Sequence, residues 1–471
     1  MLFNSLDFVF FFLLVYGLYL VLRRRGQNIL LLLASLFFYG CWDYRFLALI
    51  LTSITTDYFC ALGIGAASTE ALRKRYVALS AVINLGILFF FKYYGFFGDS
   101  LNRLLSLFGS GVNLNVLRFI LPVGISFYTF QSMSYTVDVY RGHLKPTRNF
   151  ADLALFVTFF PQLVAGPIER GSHLLPQVQR PRVVTHSYVR EGAWLVLLGF
   201  YKKVVVADNL AVFVDEVFNA PAQAHGFAIP AALLAFAFQI YGDFAGYSDI
   251  ARGTARLMGF DILYNFKMPY FAVNPSDFWR RWHISLSSWL RDYLYIPLGG
   301  NRHGTFMVYR NLLLTMFLGG LWHGAAWHYV FWGMYQGLIL VIHRALLKPL
   351  ERLWKLSRIP PAAERLINTA FFFAVTCGGW LLFRVNQMSD IPILARNVFR
   401  PFAWNGRVTL LTLLVYAAPL VLLDLAQERS RDMMVGKRWP AAARALCYAA
   451  TLAAIFLSGA VEVREFIYFQ F

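Results

Sequence analysis

Two histidines stand in stretches where an ionisable side chain is costly. His323 lies in Gly319-Gly320-Leu321-Trp322-His323-Gly324-Ala325-Ala326-Trp327-His328, inside an apolar run from near Phe306 to near Ile342. An ionisable residue at membrane depth marks a candidate functional site. Neutral imidazole takes a proton from a hydroxyl at physiological pH, and a low-dielectric surround keeps it neutral. Acyl transfer needs such a base while a hydroxyl attacks a thioester carbonyl. Spacing alone leaves His323 between that role and a hydrogen-bonded core residue.

His283 lies in Asp277-Phe278-Trp279-Arg280-Arg281-Trp282-His283-Ile284-Ser285-Leu286-Ser287-Ser288-Trp289-Leu290-Arg291-Asp292-Tyr293. Trp279, Trp282, Leu286, Trp289, Leu290 and Tyr293 recur at helical spacing and predict one helix. Ser276 or Asp277 starts it and Pro297 stops it. Arg280, Arg281, Arg291 and Asp292 forbid a lipid-exposed span. The helix is expected at the cytoplasmic interface or dipping into the protein, with His283 on its apolar side. The arginines either bind a phosphorylated donor or anchor the helix among headgroups.

Other chemistries fit less well. His323 and His328 are about 140° apart around a helix, and no HExxH is present, so no metal site is expected. A proton-coupled transporter would draw on Asp138, Asp243 and Asp249. His143, His173, His186, His225, His303, His328 and His343 read as ordinary structural residues.

The elements that must position these residues are membrane helices. Of 471 residues, 58% are hydrophobic and 14% charged, against about 25% charged in soluble domains. Mean hydropathy is +0.54. The net charge of +18 comes from Lys and Arg lying mostly between apolar runs. Topology and contact with anionic membrane lipids account for it, and no nucleic-acid partner is implied. Cys41, Cys60, Cys377 and Cys447 form no CxxC and read as free thiols.

Spans are expected at 6–22, 28–42, 44–65, 76–97 and 116–137, with Arg23-Arg24-Arg25, Arg73-Lys74-Arg75 and the Arg141, Lys145, Arg148 group on the cytoplasmic side. The N-terminus is then outside, and its first run is a span rather than a cleaved signal. Residues 151–168 carry two prolines and a glycine and read as a re-entrant or broken helix. Further runs follow at 191–207, 228–250, 306–321, 324–346, 366–385, 408–425 and 441–460, leaving 462–471 outside. The reading is one all-α polytopic membrane domain over 1–471, with about eleven or twelve spans.

Four motifs bear a resemblance. They are Phe159-Phe160-Pro161-Gln162-Leu163-Val164-Ala165-Gly166-Pro167-Ile168, Tyr241-Gly242-Asp243-Phe244-Ala245-Gly246-Tyr247-Ser248-Asp249, Asn274-Pro275-Ser276-Asp277-Phe278-Trp279-Arg280-Arg281-Trp282-His283 and Trp322-His323-Gly324. Together they resemble the membrane-bound O-acyltransferase (MBOAT) family, in its bacterial branch that modifies cell-envelope polymers. The resemblance covers almost the whole chain.

It implies a ring of tilted helices around a central passage in the cell inner membrane. His323 matches the family's essential histidine and His283 its second polar position. The implied reaction carries an acyl group, most simply acetyl from acetyl-CoA, to an extracytoplasmic polysaccharide; no bound cofactor is implied. Trp322, Trp327, Trp279, Trp282, Arg280, Arg281, Asn274 and Gln162 would line the passage. The C-terminal Phe466-Ile467-Tyr468-Phe469-Gln470-Phe471 resembles the aromatic motif of a small partner in the teichoic-acid system. That likeness implies a transient acyl-tyrosine at Tyr468, handed to a periplasmic SGNH-type, serine-hydrolase-like O-acetyltransferase. Without it, the motif reads as an interfacial anchor.

Overall fold

A computed structural model describes residues 1–109, 112, 114–164, 166–357, 359–401, 410–460 and 464–467. Every regular element among them is helical. Among the described residues, seven stretches are long and apolar enough to cross a bilayer: Arg24–Ala66, Glu70–Leu107, Ala228–Leu257, Trp327–Leu347, Pro361–Arg384, Leu411–Ser430 and Ala441–Ser458. The first holds two helices, Arg24–Asp43 and Leu47–Ala66, joined by the turn Tyr44–Phe46. Other expected spans are shorter or more polar helices, among them Leu6–Val21, Ile125–Tyr140 and Gly304–His323. Exposed Leu14, Phe37, Phe456 and Leu457 form the kind of apolar surface that lipid covers. The run 116–137 is helical only from Ile125, after Pro122 and after Gly124 at φ +73°.

The described chain divides into two compact units: Met1–Val196 with Ile250–Leu263, and Leu197–Asp249 with Tyr264–Phe471. In the first, buried Asp57 accepts hydrogen bonds from Thr136 at 2.9 Å and Asn84 at 3.0 Å, and from Ser80 and Ser132. A carboxylate in an apolar core needs this degree of satisfaction.

The expected broken helix is here too. Phe150–Thr158 stops at Phe159 and a single turn, Phe160–Leu163, resumes with Pro161 near its start. The break strands backbone groups. Ser35 Oγ accepts the Phe160 N–H at 3.0 Å, and the amides of Gln131 and Gln162 donate to the Phe156 carbonyl at 2.8 and 2.7 Å. Gln162 therefore closes a helix end within this unit.

In the second unit, Gly304–His323 and Trp327–Ser357 form a tight helical hairpin. A Cβ on Gly320 would stand 2.3 Å from the Tyr329 carbonyl and 2.8 Å from the Gly333 Cα. The backbones touch there, so only glycine fits. A Cβ on Gly324, in the turn, would meet the Tyr329 ring at 2.2 Å. Together these contacts fix where the first helix ends, which is at His323. Gly320→Ala must separate the helices and is expected to cost about 1–3 kcal/mol. A lowered midpoint in thermal unfolding of the detergent-solubilised protein checks this; an unchanged midpoint contradicts it.

Candidate active site

His323 is the last residue of its helix, followed by extended Gly324. It is 3% exposed. Its ring sits edge-on to Trp322 at 5.1 Å, Trp332 at 5.0 Å and Phe383 at 5.5 Å, between centroids. Trp332 in turn stacks on Trp380 at 6.1 Å. Aromatic walls of this kind exclude water from the imidazole.

His283 arrives from another direction. The expected continuous helix does not form; the chain breaks at His283 itself. Pro275–Phe278 makes one turn, His283 adopts φ +41°, ψ 53°, and a new helix runs Ile284–Leu290. A left-handed residue with a side chain costs roughly 1–2 kcal/mol and persists only where its surroundings hold it. Those surroundings are the stretch 265–267. Lys267 N–H donates to the Arg281 carbonyl at 3.0 Å and Ile284 N–H to the Asn265 carbonyl at 2.9 Å.

Asn265 is the clamp. Its Oδ1 accepts from Ser285 at 2.6 Å and its Nδ2 donates to Ser248 at 2.9 Å. All three side chains are buried. Thus one amide ties the His283 turn to the helix Ala228–Leu257. Asn265→Ala would leave two buried hydroxyls short of a partner, at about 1–3 kcal/mol. Thermal unfolding checks this: Asn265→Ala should unfold at a lower temperature, and an equal midpoint would show the clamp to be idle.

The turn brings His283, fully buried, to 6.2 Å from His323 and 5.7 Å from Trp322. Its other face meets Phe244 at 4.6 Å. Two imidazoles forty residues apart in sequence thus share one aromatic chamber. Of the two settings expected for this segment, dipping into the protein holds for His283.

The remaining expected residues divide. Trp322 and Trp282 are buried in the aromatic wall, with Trp282 against Trp380 at 4.8 Å. Trp279 is half-buried and meets Trp332 at 6.1 Å. Trp327 does not shape the chamber: it is 46% exposed beside Phe331. The second helix of the hairpin starts at Trp327, so the residue that turns inward is Trp332.

Arg281 is not free for a donor, because its guanidinium pairs with Asp277 at 2.9 Å and Glu428 at 2.7 Å. Asn274 accepts the Asp277 N–H at 2.9 Å and caps a helix turn. Arg280 is exposed. Tyr468 lies outside the described residues.

A cavity of about 660 Å³ opens beside the chamber. Gly324, Ala325, Ala326, Tyr329 and Phe383 form one wall. Lys203, Asp208, Asp243, Asp215, Arg384 and Arg464 supply its charge. Lys203 pairs with Asp208 and Asp243 at 2.7 Å each, and Lys202 with Asp249 at 2.7 Å. Asp243 and Asp249, two of the carboxylates a proton relay would use, are therefore ion-paired. A lysine and a carboxylate in separate apolar runs must find each other; that rule was the signal for this cluster. Nothing comparable in the sequence points to Asn265 or Trp332.

The family profile described as "MBOAT, membrane-bound O-acyltransferase family" matches residues 141–382. The chain is 40% identical to a Pseudomonas putida protein described as "Probable alginate O-acetylase", with 100% of both chains aligned. It is 44% identical to the protein of that description from Pseudomonas aeruginosa, over 90% of this chain and 81% of that one. It is 38% identical to a Helicobacter pylori protein described as "Peptidoglycan O-acetyltransferase", over 73% of this chain and 71% of that one.

Proposed function

The chain belongs to the membrane-bound O-acyltransferase family, and from that premise we propose that it carries acetyl groups across the cell inner membrane to O-acetylate an extracytoplasmic polysaccharide. The enzyme class, an acyltransferase embedded in a membrane, follows from the family. The acetyl group and the polysaccharide are supported by the alginate and peptidoglycan O-acetylating relatives. The observation that carries the mechanism is the convergence of His283 and His323 at 6.2 Å in an aromatic chamber beside a polar cavity.

In this reading acetyl-CoA is a substrate approaching from the arginine-rich side, where exposed Arg280 is a candidate contact for its phosphates. His323 takes the proton of the attacking hydroxyl and returns it to the leaving thiolate. One C–S bond breaks, one C–O bond forms, and CoA leaves as the thiol. His283, held by the Asn265 clamp, supports the charge that develops on His323. The hydroxyl is that of Tyr468, whose ester then passes its acetyl to an outer-face serine-hydrolase-like transferase. Charge distribution supports the orientation, with both termini outside: Arg23-Arg24-Arg25, Arg73-Lys74-Arg75 and Arg429, Arg431, Lys437, Arg438 all fall in loops assigned to the inner side.

Sealed vesicles test direction. Acetyl-CoA supplied only on the arginine-rich face should yield free CoA thiol there and labelled acetyl on the opposite face. Label that never leaves the donor face overturns the proposal.

A further inference from the structure

Part of the cavity wall is the chain's own C-terminal segment. The helix Ala441–Ser458 ends, Ala460 N–H donates to the Val204 carbonyl at 3.0 Å, and Arg464–Ile467 returns into the cavity. Arg464, Glu465 and Phe466 have no regular structure, yet Phe466 is fully buried. Its ring lies on Tyr247 at 4.4 Å and Phe244 at 5.5 Å. Phe244 is the ring that touches His283.

Polar contacts hold the same segment. Ile467 N–H donates to Asp243 Oδ2 at 2.7 Å, while Asp243 Oδ1 faces Lys203 Nζ at 2.7 Å. Lys203 also donates to the Glu465 carbonyl at 3.4 Å. Arg464 pairs with Asp215 at 2.6 Å, which Arg384 holds from behind at 2.8 Å. Lys203 and Asp208 are five residues apart and meet because 201–207 winds wider than an α-helix. A buried ion triad thus binds backbone atoms of this segment.

We propose that Lys203, Asp208 and Asp243 form a receptor for the C-terminal segment, and that Lys203 and Asp243 are positioning residues for acyl transfer. Docked through its backbone and Phe466, the segment is held at the cavity beside the histidine chamber, and acyl transfer through Tyr468 depends on that docking. This second step rests on the reading of Tyr468 as acyl acceptor; the docking itself does not.

Asp243→Ala in the full-length protein is the test. It removes the acceptor of the Ile467 N–H but leaves Lys203 paired with Asp208, so no lone charge is buried. Carboxypeptidase digestion followed by intact mass should stop short of Phe466-Ile467 in the parent protein. It should run past them at least tenfold faster in Asp243→Ala. Asp243→Asn keeps an acceptor oxygen and should restore most of the protection. Acetyl transfer in Asp243→Ala should fall at least tenfold with the KM for acetyl-CoA unchanged. Equal protection in Asp243→Ala overturns the receptor. An exposed tail with undiminished transfer overturns the positioning role. An exposed tail in Asp243→Ala, beside full transfer in Tyr468→Phe, keeps the receptor and removes the carrier.

Discussion

His323→Ala is expected to lower acetyl transfer from acetyl-CoA by on the order of 10²–10⁴, the usual contribution of a positioned general base. The loss should fall on kcat, because the ring lies within a closed aromatic wall and not on an exposed donor-binding surface. His323→Gln fills more of the chamber and separates lost chemistry from lost packing; it should be as inactive while unfolding near the parent temperature. His283→Ala should give a smaller loss if, as proposed, His283 acts through His323, 6.2 Å away. Steady-state release of CoA thiol checks the series. Label transfer at the parent rate in His323→Ala would remove the catalytic assignment.

Tyr468→Phe should abolish transfer to the outer face, by roughly 10³-fold or more as for other nucleophile deletions. The change removes one hydroxyl and keeps the ring, so an interfacial anchor would survive it. An acyl carrier would not. Transfer by the Tyr468→Phe protein at the parent rate would leave the aromatic motif as an anchor, and direct acylation of a lipid or glycan acceptor would become the better account.

Much of this was legible because membrane burial punishes polar residues individually. His323 stood out for that reason; the interrupted helix around Pro161 stood out for its two prolines and a glycine, and its stranded carbonyl at Phe156 accepts from two glutamines. The apolar runs predicted 6–22, 28–42, 44–65 and 441–460 to within a few residues, whereas 116–137 starts nine residues late and 324–346 runs on to Ser357. What failed was periodicity across a break. The aromatic residues from Trp279 to Tyr293 keep helical spacing, but tertiary hydrogen bonds from 265–267 hold His283 in the left-handed region. Local preference could not reveal a turn that long-range partners enforce. The same cause hid Trp332, which packing buries while Trp327 stays exposed. Arg281 looked available until Glu428, nearly 150 residues away, proved to be its partner. Charged residues in separate spans declare that they need partners without saying which.

The most direct test of the relay is mass spectrometry of the C-terminal peptide after incubation of the full-length protein with acetyl-CoA and no outer-face transferase. The account predicts an acetyl ester on Tyr468 in the parent protein and none in His323→Ala. A C-terminal peptide that stays unmodified, in a preparation that still acetylates polysaccharide once the transferase is added, would contradict it.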